Sequence, residues 1–554
     1  MNLHSIYFLF YFIIIFTSVQ SCTQESATAD LIITNAKIWT GNDAQAFAES
    51  MIISADTILA IGNSSDIIQY KNKHTTVIDV DGRFITPGFI DSHVHLLMGG
   101  NSLLSVQLRD ADTPTEFTKR IADYANTLED EMWILEGNWD HTLWGGELPK
   151  KEWIDEVTSE NPVVIFRLDG HMVLANSLAL KIAGIDQNTV DIEGGEIVRD
   201  TSGTPTGILK GNAMIPVLDK IPPMTETHKF KAFRSAMKYF SSNGVTSVHD
   251  VDSLSCYHIA NSLLTKKELD VRIYNIHPLT RWSEISDIDF NNNKWLRRGG
   301  LKGFVDGSLG SHTAAFHDHY TDQEDDKGLL LYDEEQLYEW ILQADKSDLQ
   351  VMVHAIGDKA NHSILNMIEK LIRTNGKKDR RFRIEHAQHI SEADINRFAA
   401  LHVIASMQPY HAIDDGRWAE EVIGRDRIQT TYAFKSLLDH NTQVAFGSDW
   451  AVAPASPILG IYAATTRRTL DDKNPNGWVP DQKISVEQAL RAYTITAAYA
   501  SFEEDIKGSL EVGKLADFVI LSEDITKINP IDIKDVIVLE TYVGGKSVFQ
   551  SSLK

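Results

Sequence analysis

His93-Val94-His95 closes an apolar run, Phe84 to Ser92, in a chain of 554 residues. If that run is a strand, alternation places Phe89, Asp91, His93 and His95 on one face, so both imidazoles project the same way from its C-terminal end. Two imidazoles so placed can share one divalent cation. Potential ligands recur at the ends of other short apolar runs: Val351-Met352-Val353-His354, Arg383-Ile384-Glu385-His386 and Phe446-Gly447-Ser448-Asp449. One polar pair at a strand end is ordinary. Four histidines and an aspartate recurring at such ends are what a metal centre on a shared rim requires.

The elements that must position them are repeated βα units. Eight candidate strands end near His95, Asp250, His277, Asp306, His354, His386, Gln408 and Asp449, with helical patterns such as Glu334 to Lys346 and Lys359 to Arg373 between them. Eight such units close a (β/α)8 TIM barrel, here spanning residues 84–505. Lys302 lies in Leu301-Lys302-Gly303-Phe304-Val305-Asp306, sharing a face with Phe304 and Asp306. If Asp306 reaches the rim, that face is the barrel interior. An ammonium is costly there, so its pKa falls, and the neutral amine can take up carbon dioxide as a carbamate able to bridge two metals. The plainer alternative is a lysine that snorkels to solvent or pairs with Asp306.

Between the first two strands, residues 100–211 are too many for one crossover helix and carry strand patterns of their own, Trp133 to Gly137 and Pro162 to Leu168. We expect an inserted subdomain roofing the C-terminal face, where barrel active sites sit. Short β-type runs at both chain ends, Leu31 to Asp81 and Gly513 to Val548, predict one small β-sandwich assembled from residues 31–83 and 506–554.

Residues 1–22 combine a short polar start, an apolar run from Ile6 to Phe16 and the tetrapeptide Val19-Gln20-Ser21-Cys22, resembling a bacterial lipoprotein signal. Cys22 would then be the lipidated N-terminus, residues 23–30 a tether, and the cell envelope the location, with the lipid as sole membrane attachment. The start holds His4 but no Lys or Arg, so an uncleaved anchor is the alternative. With Cys22 lipidated, Cys256 is the one cysteine left and no intrachain disulfide can form. A net charge of −25 disfavours nucleic acid as a partner and is read as serving solubility; a small molecule is the expected substrate, and oligomeric state is open.

Over nearly the whole chain after the tether, the sequence resembles the amidohydrolase superfamily, in its amidohydrolase-3 branch that includes N-substituted formamide deformylases. The resemblance rests on Thr86-Pro87-Gly88-Phe89-Ile90-Asp91-Ser92-His93-Val94-His95, Leu301 to Ser311, Val353-His354-Ala355-Ile356-Gly357-Asp358, Ile384-Glu385-His386-Ala387-Gln388, Gly447-Ser448-Asp449 and Gly513 to Phe518. It implies that His93, His95 and Asp449 bind one metal and His354 and His386 a second, usually zinc, with carbamylated Lys302 between them. A metal-activated hydroxide would attack the scissile carbonyl, Asp449 passing its proton to the leaving nitrogen.

By the same likeness His171, in Leu168 to Ser177, belongs to the substrate pocket and could polarise a carbonyl; a histidine satisfied within the insertion is the alternative. His249, Asp306 and His312 are expected to line the pocket, His312 standing where relatives carry arginine. His389 is expected to support the site rather than ligate. The function so implied is metal-dependent hydrolysis of a non-peptide amide or N-formyl bond. A lactonase or esterase on the same site, or a non-catalytic ligand-binding envelope lipoprotein, are the alternatives.

Overall fold

The computed structural model describes residues 28–67, 70–167, 172–192 and 195–552. The signal and Cys22, with all of residues 1–27, lie outside the described residues, as does His171. Among the described residues no helix is long and apolar enough to cross a membrane.

Eight parallel strands form one sheet: β1 (Phe89–Val94), β2 (Val245–Val251), β3 (Arg272–Pro278), β4 (Leu296–Phe304), β5 (Val351–Ala355), β6 (Arg383–His386), β7 (Ile404–Met407) and β8 (Val444–Phe446). They are hydrogen-bonded in chain order, and a parallel bridge between Val94 and Trp450 brings β8 back against β1. This is the expected TIM barrel. Gly447 makes the closure possible, because a Cβ there would stand 2.6 Å from the His93 amide nitrogen. Apolar runs become strands because both faces of each are covered, by the barrel interior and by helices.

The helices read as their sequences suggest. Asp333 caps Glu334–Lys346 by accepting from the Glu335 and Gln336 amides, and that helix buries Leu337, Ile341 and Leu342 at helical spacing. Asp358–Asn375 likewise buries Ile364, Leu365, Ile368 and Leu371.

The stretch between β1 and β2 holds a six-stranded mixed sheet, ordered Gly195–Arg199, Pro205–Gly211, Met172–Ala175, Val163–Arg167, Ile134–Trp139 and Val106–Gln107. Alternate residues feed two separate cores. Ile134, Val163, Ile165 and Leu174 pack on one face against helix Pro114–Ala125, while Val164, Val173, Ala175 and Leu209 pack on the other against Ser177–Ala183. Thr113 caps the first of these helices and Pro114 starts it.

Strands from both chain ends make two facing sheets. One holds Leu31–Thr34, Ser50–Ser54, Thr57–Gly62 and Thr76–Asp79; the other holds Lys37–Trp39, Phe47–Ala48, Phe84–Pro87, Phe518–Leu521, Val538–Val543 and Lys546–Gln550. Ile33, Met51 and Ile53 from the first meet Ile38, Ile85, Phe518, Ile520 and Tyr542 from the second. Because Phe84–Pro87 pairs with Phe518–Leu521, this layer runs past residue 83, where sequence alone puts the barrel's start. The chain then crosses to β1 at Gly88, where a Cβ would lie 2.2 Å from Thr246 Oγ1.

Arg272, at the start of β3, ties the two layers together. Its Nε and Nη2 donate to Asp517 Oδ2 and Oδ1 at 2.7 and 2.8 Å, and both residues are buried. Asp517 also accepts the Gly544 amide at 2.7 Å. Breaking one partner of a buried pair leaves the other charge uncompensated, so Asp517→Ala should cost about 3–5 kcal/mol. Thermal melting should show a correspondingly earlier unfolding transition; an unchanged melt would show the layers hold without this pair.

Candidate metal centre

The site assembles at the C-terminal ends of β1, β4, β5, β6 and β8. Alternation delivers His93, Lys302 and His354 to the mouth, whereas His386 and Asp449 are turned in at the strand ends by positive φ. His93 Nε2 lies 3.5 Å and His95 Nε2 3.3 Å from Asp449 Oδ1, and Lys302 Nζ lies 3.3 Å from His93 Nε2. The His93 ring centroid is 5.6 Å from that of His95 and 5.3 Å from that of His386, which is 4.5 Å from His354. The structure thus brings together His93, His95, Lys302, His354, His386 and Asp449. Asp449 and His386 reach inward from non-glycine residues at positive φ, 58° and 69°, a local strain that the surrounding packing must hold.

What lies beneath explains why the rings point as they do. His93 Nδ1 meets Glu385 Oε2 at 2.5 Å, leaving Nε2 toward the mouth. Glu385, fully buried, also accepts Arg383 Nε at 2.8 Å and Ser406 Oγ at 2.7 Å. His386 Nδ1 donates to Gln408 Oε1 at 2.8 Å, and His354 Nε2 to the Gly307 carbonyl at 2.9 Å. One nitrogen of each ring is committed to a partner and the other is free, the arrangement that orients imidazoles around metals.

The charges fit the same purpose. Burial, reinforced by the Lys302 charge, pushes His93 down to about 4 and His354 to about 3, and burial holds His386 well below the ordinary histidine value. All three are therefore neutral at pH 7, the form that ligates. For His95, burial works downward but the Asp449 hydrogen bond and charge outweigh it and raise the value. Burial would raise Asp449, yet His93 and the His95 hydrogen bond keep it well below the carboxylate range and ionised. Burial lowers Lys302 to about 8 against the pull of Glu385 and Asp449. Neutral imidazoles, an ionised carboxylate and a lysine poised to lose its proton suit divalent cations. Ligand atoms of His93, His95 and Asp449 lie within 4.8 Å of one another, as do those of His386, His411 and Asp449.

The sequence profile of the Amidohydrolase family matches residues 76–549, most of the chain. The chain belongs to the amidohydrolase family. Protein LONG AFTER FAR-RED 3 of Arabidopsis thaliana is 42% identical over 537 residues, covering 94% of this chain and 92% of the plant protein. N-substituted formamide deformylase of Arthrobacter pascens is 26% identical over 540 residues, covering 93% and 97%. The crystal structure of an uncharacterized metal-dependent hydrolase from Pyrococcus furiosus matches with a TM-score of 0.74 at 27% identity, covering 90% of this chain and all of that one. This amidohydrolase is accordingly a metal-dependent hydrolase.

Three residues expected in the amidohydrolase's pocket sit elsewhere. Asp306 accepts the Ala315, Ile356 and Gly357 amides at 2.8, 3.0 and 2.8 Å, so its carboxyl staples the loops after β4 and β5 and has no face left for substrate. His312 pairs with Asp322 at 3.0 Å inside its own loop. His249 lies below the cluster, Nδ1 accepting from Arg383 at 2.9 Å. His389 is buried, its Nδ1 2.8 Å from Thr431 Oγ1. Cys256 is a buried free thiol, and Trp139 and Trp450 are core.

Sequence reasoning missed Glu385, Arg383, Gln408 and His411. Glu385 was visible as the residue before His386, but strand alternation places it on the opposite side, and only the three-dimensional barrel shows that it reaches His93. Glu385→Gln removes the charge that orients His93, so metal retention should weaken by about 10–100-fold in chelator competition, with secondary structure unchanged. Wild-type retention would show that His93 holds its orientation unaided.

Proposed function

We propose that the protein hydrolyses a non-peptide carbon–nitrogen bond, of the amide or N-formyl type, in a small molecule. Two zinc ions would be held by His93, His95 and Asp449 on one side and His354 and His386 on the other, with carbamylated Lys302 between. The observation that carries this is Asp449: ionised, its side chain 11% exposed at the mouth, and in contact with both His93 and His95. The name of the Arthrobacter relative supports the bond type.

Metal ions held by these residues would supply Lewis-acid activation of the scissile carbonyl and of the attacking water. Asp449 takes the proton of the attacking water and delivers it to the leaving nitrogen. A carbon–oxygen bond forms, the carbon–nitrogen bond breaks, and a carboxylic acid and an amine leave. Lys302, once deprotonated, adds carbon dioxide through its nitrogen and releases a proton, converting a cation that would repel metals into an anion that attracts them. Glu385 keeps His93 aimed, while burial and the Lys302 charge keep it neutral. His95, its side chain 29% exposed, and Asp449 form the open side through which substrate arrives.

Chelation should abolish turnover of N-formyl and N-acyl amines and zinc should restore it. Lys302→Ala and Asp449→Asn should each lower kcat by about 10³-fold or more, the lysine variant also losing metal. Turnover confined to the ester half of a matched ester and amide panel would overturn the bond assignment.

A further inference from the structure

His411 sits in the first turn of helix Pro409–Asp415, directly after β7, and its Nε2 is buried without a hydrogen-bond partner. An unmet buried imidazole nitrogen costs free energy, so a partner is to be expected when the site is in use. The ring is close to the centre, one of its nitrogens lying within 4.8 Å of ligand atoms of His386 and Asp449.

Ring geometry distinguishes a ligand from a neighbour. With metal–nitrogen distances near 2.0–2.1 Å, two imidazoles on one tetrahedral ion have centroids about 5 Å apart. The pairs His93 with His95 and His354 with His386, each assigned to one ion, fall at 5.6 and 4.5 Å with planes inclined by 62° and 66°. His411 differs. Its ring lies 6.5 Å from His386 with the planes only 9° apart. That near-parallel placement sets His411 apart from both assigned ligand pairs.

The helix that carries His411 is fixed at its other end. Asp415, one turn further on, accepts Gln388 Nε2 at 2.9 Å and the Tyr432 hydroxyl at 2.6 Å, which ties the helix to the segment following β6. Pro409 stiffens its start. His411 is thus presented by a braced element rather than by a mobile loop, as a transition-state contact requires.

We propose that His411 is a catalytic residue on the substrate side, its Nε2–H donating to the carbonyl oxygen of the bound amide as negative charge develops there. This rests on the amide-hydrolysis reading above and adds to it the group that faces the scissile carbonyl from the β7 side.

The test compares wild type with His411→Phe and His411→Gln, since a glutamine amide reaches the place of Nε2 and can donate. Metal content, binding of acetohydroxamate to the cobalt-loaded proteins followed by visible absorption, and amide turnover are measured on each. We expect equal metal content in all three. His411→Phe should bind acetohydroxamate at least tenfold more weakly and lose about 10²-fold in kcat with little change in KM, and His411→Gln should recover part of both. Metal loss in His411→Phe would make His411 a ligand and overturn the proposal, as would wild-type hydroxamate affinity in that variant. A wild type that holds metal and turns over no amide would sink the proposed function instead, and the hydroxamate affinities would still decide for or against His411 as a carbonyl donor.

Discussion

A carboxylate and a guanidinium with no water around them sit in the middle of the barrel, and the mouth is arranged around how they satisfy each other. Glu385 and Arg383 are both fully buried on β6, joined at 2.8 Å. Arg383 also donates to the Ser92 carbonyl, Ser406 and His249, while Glu385 accepts from Ser406 and engages His93. One pair therefore binds β1, β2, β6 and β7 into a single polar layer. Buried charges are tolerated only when paired and fully hydrogen-bonded. Here the last unfilled position on the carboxylate is taken by His93, which is how a requirement of the fold becomes the aim of a functional side chain.

The layer also divides labour between depth and exposure. Beside it, Tyr274, Ile276, Val251 and Met352 fill the barrel with apolar volume. Above it the histidines are buried enough to stay neutral, yet His95 and Asp449 reach solvent. Low dielectric on one side and access on the other let a carboxylate and several imidazoles share a few ångströms without collapsing into ion pairs.

The two outer additions serve the same centre by different means. The terminal sandwich is anchored through Arg272 and Asp517 to the start of β3, the end of the barrel away from the chemistry, where a rigid base is useful and access is not. The insertion leaves β1 just after His95 and returns before β2. Arg109 within it lies in electrostatic range of Tyr410, the neighbour of His411.

Eight strand ends and the ligand types upon them were legible in the amino-acid order, because alternation, apolar runs and helix caps are local properties. His93, His95, Lys302, His354, His386 and Asp449 could be named that way, and the structure brings them together. What lies across the barrel could not. Glu385 looks like an outward neighbour of His386 until the register places it inward beside His354 and Ser406, with His386 turned in by its positive φ. Asp306 looks like a rim carboxylate until three amides from two loops close on it. His411 has no motif to mark it, and only the packing of one helix turn reveals an imidazole nitrogen without a partner. Periodicity tells which face a side chain leaves from; the distance to whatever it meets depends on loop closure, and loop closure is decided by the whole chain.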